Sequence, residues 1–197
     1  DLSPAGMGAP SFSAAPAPAA APLVSAAPSL GAPAGVMTPD QMALAAAADS
    51  YARARLAGHA VIGLLVGKAM SGAFLAHGYQ ANRLIALRDP GVMVHAMGKA
   101  SAARVTLRSV EELEALAASV PPMAYDIDSY ASLGLLWETL SVEQIEQPTA
   151  ADLTRVMECL KQAIGDVAAT GCDLSGRLGA SNRAASSKVR QLLRAQW

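Results

Sequence analysis

The chain has 197 residues, of which 52% are hydrophobic, 16% charged and 4% aromatic, a composition that excludes disorder throughout and predicts one domain, or one domain with a tail. Fifteen basic and sixteen acidic side chains give a formal net charge of −1, which argues against nucleic acid as a partner because proteins that bind it present strongly basic surfaces. Cys159 and Cys172 are too few for a disulfide scaffold, and the longest apolar run, at 60–67, is much shorter than the roughly 20 residues that cross a bilayer, so we expect reduced cysteines, a cytoplasmic location and no membrane contact.

The two ends of the chain differ in composition from its middle. Residues 1–37 contain seven of the twelve prolines and no basic side chain, which predicts an alanine- and proline-rich arm that is extended or disordered. Residues 172–197 contain five basic side chains and one acidic side chain, which is typical of a solvated tail or of a contact for an acidic partner, with the tail favoured. The predicted domain is therefore 38–171.

The first predicted elements of this domain alternate between helix and strand. Thr38, Pro39 and Gln41 are typical of a helix N-terminus, which predicts a helix that ends near Leu56. An apolar strand buried on both faces is expected at 60–66, followed by a tight turn of small residues at 67–73 and a helix at 71–77. Further strands are expected at 83–87 and at 92–97, where the second stops at Gly98.

Two later helices are predicted from their N-terminal signals. Ser109 and Glu112 form a capping box that opens a helix ending near Ser119. A longer helix begins after Thr149 and ends at Gly171. Its apolar stripe, together with the apolar segment before it, predicts an interface with an obligate partner subunit, the alternative being that these residues close the core of this chain. The residues concerned are Leu153, Val156, Met157, Leu160, Ile164 and Val167 in the helix, and Leu133, Leu135, Leu136 and Trp137 before it.

The residues that common catalytic sites require are mostly missing. The three histidines, His59, His77 and His95, lie far apart and form no metal-binding pattern, so we expect no metal. Residues 63–69 do not match a phosphate-binding loop, and Ser71 lacks the sequence context of a serine hydrolase. The backbone N–H groups where a strand leads into a helix at Met70, Ser71 and Gly72 remain as candidates for an oxyanion hole, the alternative being an ordinary strand-to-helix turn.

Three longer strings then carry a family resemblance. They are residues 64–78 (LLVGKAMSGAFLAHG), 89–99 (DPGVMVHAMGK) and 122–126 (PMAYD). The chain resembles, over about residues 40–165, the gamma subunits of biotin-independent malonate decarboxylases in the carboxyltransferase branch of the crotonase superfamily. The resemblance implies an α/β fold of the ClpP/crotonase spiral type, the carboxyltransferase half. That family has further strands and a helix upstream of the matched segment, so we expect a core truncated on its N-terminal side, a divergent subunit, or poorly determined sequence at 1–37.

The resemblance also implies partners and a reaction. In that family the gamma and beta subunits together form a decarboxylase site for malonyl-S-acyl-carrier protein, which releases CO2 and leaves acetyl-S-acyl-carrier protein. An acyl-carrier delta subunit brings the substrate on a phosphoribosyl-dephospho-coenzyme A prosthetic group, an alpha subunit exchanges acetyl for malonyl, and biotin takes no part. No cofactor is expected on this chain itself.

Roles for individual residues follow from combining this chemistry with the sequence. Met70, Ser71 and Gly72 are predicted to donate N–H groups to the enolate oxygen that forms when CO2 leaves. His95 is predicted either to deliver the proton that completes the acetyl group or to be a histidine satisfied by a backbone carbonyl. The predicted substrate-binding residues are Gly67, Lys68, Ala73, Met97 and Gly98. The alternative functions are a non-catalytic scaffold for the beta subunit and a hydratase or thioesterase of the same fold.

Overall fold

A computed structural model describes residues 39–196, except for the side chain of Ser71. The predicted arm at 1–37 and the capping role of Thr38 lie outside the described residues. The helices are α1 (Pro39–Leu56), α2 (Ser71–His77), α3 (Lys99–Thr106), α4 (Val110–Ser119), α5 (Ile127–Ala131), α6 (Ala150–Thr170) and α7 (Ala184–Gln196). The strands are β1 (Ile62–Leu65), β2 (Lys68–Met70), β3 (Arg83–Leu87), β4 (Met93–His95) and β5 (Glu138–Leu140).

The described strands form two parallel sheets. One sheet has the order β1-β3-β5 and the other pairs β2 with β4. Helices connect the parallel strands, because a parallel pair needs a crossover rather than a hairpin, and the fold is α/β as predicted. None of the described helices has the length and apolar character needed to cross a membrane.

Local sequence signals placed the helix ends well. Ser109 and Glu112 form the predicted capping box at the start of α4, in which the Ser109 hydroxyl accepts from the Glu112 N–H and the Glu112 carboxylate accepts from the Ser109 N–H. Thr149 and Asp152 form a second capping box at the start of α6. Gly171 ends α6 with a positive φ of 93°, a conformation that glycine adopts without steric cost.

The strand buried on both faces is β3 rather than the predicted β1. Leu84 and Ala86 lie in the main apolar cluster on one side of the sheet, whereas Ile85 packs with Cys159 and Ala163 of α6 on the other side. β3 occupies the centre of its sheet, and β1 lies beside it with three of its four residues only half-buried. The two strands approach closely at Gly63 of β1, where an added Cβ would lie 2.6 Å from a side-chain atom of Leu84.

The predicted tight turn at 67–73 is wrong in its first half. Lys68, Ala69 and Met70 form β2, which pairs in parallel with β4 so that Met70 lies opposite His95. This short strand runs directly into α2 at Ser71, so Ser71, Gly72 and Ala73 belong to the helix. The strand predicted at 92–97 is likewise shorter, because the chain after His95 turns back so that the backbone of Met97 hydrogen-bonds the His95 ring.

The apolar stripe predicted on α6 is divided between core and surface. Val167 is buried and Val156 and Leu160 pack against the core, but Leu153, Met157 and Ile164 are 55%, 53% and 51% exposed. The apolar arc of the helix is wider than its contact with the sheet, so one edge of the arc remains uncovered by the described residues. The segment before the helix does not share this exposure: Leu133 is buried, and Leu135, Leu136 and Trp137 pack against the two clusters.

The segment after α6 packs on the core before it reaches α7, so a solvated tail does not describe its first part. The Arg177 guanidinium donates to the backbone carbonyls of Tyr79 and Ala81. The buried Asn82 side chain accepts from the Val61 N–H and donates to the carbonyl of Cys172. Backbone carbonyls thus hold this stretch in place, an arrangement that charge counting does not reveal. Beyond it, α7 has no buried residue.

Candidate functional site

Two helices begin at the same end of the β2–β4 pair. α2 follows β2 directly, with Met70 as its N-cap, whereas three residues separate β4 from α3, which has Gly98 as its N-cap. Neither N-cap makes a side-chain hydrogen bond to its helix. Because the first N–H groups of a helix have no partner within the helix, this end of the sheet presents two sets of backbone donors on adjacent strands, including those of the predicted residues Ser71 and Gly72.

The first turn of α2 is exposed to solvent at Gly72 and buried at Ala73. Gly72 is exposed, and a Cβ added to it would meet no atom within 4 Å. Ala73 is buried, so its side chain belongs to the core. Lys68 is exposed on β2 and Gly67 is half-buried before it. The backbone at Gly72 is therefore open to the approach of an external group.

His95 ends β4 beside Met70 and is held by backbone groups. Its Nδ1 lies 2.9 Å from the carbonyl oxygen of Met97 and 3.3 Å from the Met97 nitrogen. Burial lowers the pKa of His95 below its ordinary value of 6.5, while hydrogen bonds to the backbone of Met97 and Met123 act in the opposite direction. These contacts match the alternative in which backbone satisfies the histidine, and they fix the segment that leads to Gly98.

Tyr125 is the residue at this site that our interpretation of the sequence missed. The rings of His95 and Tyr125 are stacked, with centroids 3.9 Å apart and planes inclined by 9°. The Val94 N–H donates to the Tyr125 carbonyl, and Met93 forms an isolated antiparallel bridge with Asp126, so the residues before α5 run along the open side of β4. The string PMAYD at 122–126 contributed to the family resemblance, but nothing in its sequence predicts that it lies beside β4.

Electrostatic contacts extend from Tyr125 to α3 and α4. The Lys99 Nζ lies 5.5 Å from the centre of the Tyr125 ring and 2.7 Å from Oε1 of Glu114. Burial raises the pKa of Tyr125, and the Lys99 charge opposes this. The Tyr125 hydroxyl is buried without a hydrogen-bond partner among the described residues. The ammonium at the start of α3 is thus neutralised by Glu114 rather than left facing the N–H groups.

Of the remaining predicted residues, Met97 is at the surface and Gly98 is half-buried. A Cβ at Gly98 would lie 3.9 Å from the Met70 methyl carbon, so the two strand ends adjoin. A distinct cavity lies elsewhere, near the start of β3, lined among others by Arg83, Trp137 and Arg177. Within residues 39–196 we find no cluster of three His, Cys, Asp or Glu side chains suited to a metal ion.

Two parallel sheets, and paired strands that each lead into an uncapped helix at the same edge, form an α/β architecture that agrees with the crotonase type of fold. The family model described as "MdcE: Malonate decarboxylase gamma subunit" matches residues 40–197. The chain belongs to this family. The match continues through α7, beyond the end of the resemblance predicted from the three strings.

The chain is similar to solved structures of malonate decarboxylases from Pseudomonas. It is 71% identical to a chain of a hetero-tetramer in complex with coenzyme A, with a TM-score of 0.74. That match covers 82% of our chain and 64% of the Pseudomonas chain. It is 65% identical to a chain of an MdcD–MdcE hetero-dimer, with a TM-score of 0.69. That match covers 82% of our chain and 62% of the Pseudomonas chain.

A more distant relative is named for a different activity. The chain is 34% identical over 132 residues to the malonyl-S-ACP:biotin-protein carboxyltransferase MADD of Malonomonas rubra, covering 66% of this chain and 44% of the relative. The chain therefore spans less than two thirds of the length of each of these relatives.

Proposed function

We propose that this chain joins a beta subunit to form a decarboxylase that converts malonyl-S-acyl-carrier protein to acetyl-S-acyl-carrier protein and CO2. The observation that carries the proposal is the 65–71% identity to chains of Pseudomonas malonate decarboxylase assemblies. The hetero-dimer and hetero-tetramer named for those structures support a hetero-oligomer here. The wider assembly, with an alpha subunit and an acyl-carrier delta subunit, is part of the same proposal.

The reaction needs stabilisation of one developing charge. When the bond between the carboxylate carbon and the α-carbon breaks, its electron pair moves toward the thioester carbonyl and leaves an enolate oxygen. CO2 departs, and a proton then adds to the α-carbon. Donors already in place stabilise the enolate without reorganising, and each is typically worth about 2.7–4 kcal/mol of barrier.

The end of the β2–β4 pair supplies such donors in this proposal. The N–H groups of Met70, Ser71 and Gly72 lie where β2 leads into α2, and Gly72 leaves room for an oxygen to approach the backbone. Gly67, Lys68, Ala73, Met97 and Gly98 form the surrounding segments. The exposure of Gly72 in this chain fits a site whose opposite wall comes from the beta subunit.

His95 has two competing roles within the proposal. The contact of its Nδ1 with the Met97 backbone favours a positioning residue that fixes 96–98 and the start of α3. The proton-donor role is the alternative, since an imidazole whose pKa lies near neutrality transfers protons readily. Substitution separates the two roles, because only proton donation changes the pH profile of turnover.

The proposal also specifies how the malonyl group is carried to the site and where its carboxyl group goes. A phosphoribosyl-dephospho-coenzyme A group on the delta subunit would present the malonyl thioester, and this chain would bind no cofactor of its own. The Malonomonas relative names a biotin protein as carboxyl acceptor, which makes carboxyl transfer to biotin the second candidate. The higher identity to the Pseudomonas chains favours direct release of CO2.

The test compares this chain alone, the beta subunit alone and their complex with malonyl-S-carrier. The proposal predicts CO2 release by the complex in step with acetyl-S-carrier formation, and no inhibition by avidin. CO2 release by the beta subunit alone at the rate of the complex would support the scaffold alternative. Hydrolysis to a free acid, or water addition to an unsaturated thioester, would support the thioesterase or hydratase alternative. CO2 retention with carboxylation of added biotin protein would support the second candidate.

A further inference from the structure

The segment that ends with α7 is positively charged, whereas the rest of the described chain is negatively charged. Residues 174–196 carry five basic and no acidic side chains, whereas residues 39–173 carry ten basic and fifteen acidic ones. Three of the cations, Lys188, Arg190 and Arg194, are exposed on α7. No ion pair to them is found among the described residues. The surface of α7 is therefore suited to an anionic partner.

The same helix carries an uncovered apolar face. Val189, Leu192 and Leu193 are 56%, 49% and 53% exposed, and a shallow groove runs along Ala185, Val189 and Leu193 between the basic side chains. Because an apolar stripe flanked by cations is common where a helix binds another macromolecule, α7 has the features of a docking helix. The family match includes it.

The path from α7 to the candidate site is short. α7 begins at the 3-10 turn Ser181–Arg183, which packs against the turn Pro121–Met123. Tyr125, two residues after that turn, stacks on the His95 ring. The N-terminal end of α7 thus starts beside the elements that surround the end of β4.

We propose that α7 docks the acyl-carrier protein that delivers the malonyl thioester, an inference that rests on the proposed function. A prosthetic group of the coenzyme A type carries phosphates, so a loaded carrier presents negative charge where its arm emerges. Lys188, Arg190 and Arg194 meet this charge, and the Val189, Leu192 and Leu193 face packs against the carrier. The name of the Malonomonas relative, which includes malonyl-S-ACP, supports a carrier-bound substrate.

The test uses the complex with the beta subunit and two substrates: malonyl-S-carrier, and malonyl-S-pantetheine, which lacks both carrier and phosphates. The variant is the triple substitution Lys188→Glu, Arg190→Glu and Arg194→Glu. Its control carries the same charge change at Arg53, Arg104 and Arg108, which are exposed on α1, on α3 and on the loop before α4. Direct binding of unacylated holo-carrier is measured alongside turnover.

We expect the α7 variant to raise KM for malonyl-S-carrier, and the Kd of holo-carrier, on the order of tenfold, with kcat and the KM for malonyl-S-pantetheine unchanged. Added salt should weaken carrier binding by the wild type and have less effect on the variant. The control triple variant should match the wild type.

Four results would overturn the inference. They are a carrier Kd unchanged by the α7 substitutions, an equal rise in KM for both substrates, loss of the beta subunit from the α7 variant, and α7-dependent binding to vesicles of anionic phospholipid without any effect on the carrier. If the wild-type complex binds holo-carrier through α7 but decarboxylates neither thioester, the proposed function fails while the docking surface stands.

Discussion

His95 and Tyr125 lie ring on ring, 3.9 Å apart at their centroids, and this contact joins β4 to the residues that precede α5. The imidazole is held on one face by the phenol ring and at Nδ1 by the backbone of Met97. Rotation of the His95 side chain would therefore break contacts with two separate segments. In the proposed site, this arrangement sets the position of the backbone that leads to Gly98.

Replacement of His95 by asparagine distinguishes positioning from proton transfer. If His95 positions 96–98, we expect His95→Asn to lower kcat for CO2 release by roughly tenfold, with the complex assembled and the pH profile unchanged. A proton donor would cost about 10²–10⁴-fold and flatten the profile. Rates of CO2 release and acetyl-thioester formation across pH measure both outcomes, and rates equal to wild type would reduce His95 to a purely structural residue.

Two substitutions at Tyr125 separate its ring from its hydroxyl. The hydroxyl is buried without a hydrogen-bond partner in the described part of the chain. Burial of such an unsatisfied polar group typically lowers the free energy of unfolding by about 1–3 kcal/mol. Tyr125→Phe should therefore raise the free energy of unfolding by about 1 kcal/mol, whereas Tyr125→Ala should lower it because the stacked ring is lost. Urea unfolding measures both. A destabilised Tyr125→Phe would show that the hydroxyl has a partner after all.

The lowered pKa of His95 predicts how stability depends on pH. Just below pH 6.5 the unfolded chain binds more protons at this residue than the folded chain does, because burial disfavours the charged imidazole. This contribution to stability is complete above pH 6.5 and is lost as the pH falls through the folded pKa. We expect the melting temperature of the wild type to drop more steeply on acidification below pH 6.5 than that of His95→Asn. Parallel curves would contradict this.

The exposed edge of the α6 stripe predicts where the beta subunit binds. Met157→Glu places a charge among Leu153, Met157 and Ile164, which are each about half exposed. In the proposed interface, burial of that charge should weaken the complex at least about tenfold. Gln162→Glu, at an exposed position away from the stripe, is the matched control. Co-purification and sedimentation measure assembly, and an unaffected Met157→Glu complex would move the interface elsewhere.

Sequence signals succeeded where the interaction is local. The capping box of Ser109 and Glu112 joins groups three residues apart, so the sequence alone predicts it. The strings around Ser71 and His95 likewise predicted the helix at 71–77 and the family. The parallel pairing of Met70 with His95 was not predicted, because it joins residues far apart in the chain whose small neighbours also suit a turn.

Side-chain hydrogen bonds to distant backbone carbonyls could not be predicted from the sequence either. Arg177 bonds to the carbonyls of Tyr79 and Ala81, and Asn82 bonds to that of Cys172. No side-chain pattern marks such acceptors, so residues 172–183 looked like a charged tail. On α6, periodicity identified an apolar arc but could not tell that Met157 faces away from the sheet while Ala163 faces it.

The most direct test of the central claim, that backbone donors at the start of α2 serve the decarboxylation, compares Ser71→Ala with Gly72→Val in the complex. A Cβ added at Gly72 meets no atom within 4 Å, so we expect Gly72→Val to fold and assemble while its side chain restricts access to the N–H groups. We expect Gly72→Val to lose CO2 release by at least about 100-fold and Ser71→Ala to retain most of it. Wild-type turnover by an assembled Gly72→Val complex would contradict the claim and support the scaffold alternative, and equal losses in both variants would indicate a mechanism that uses the Ser71 hydroxyl.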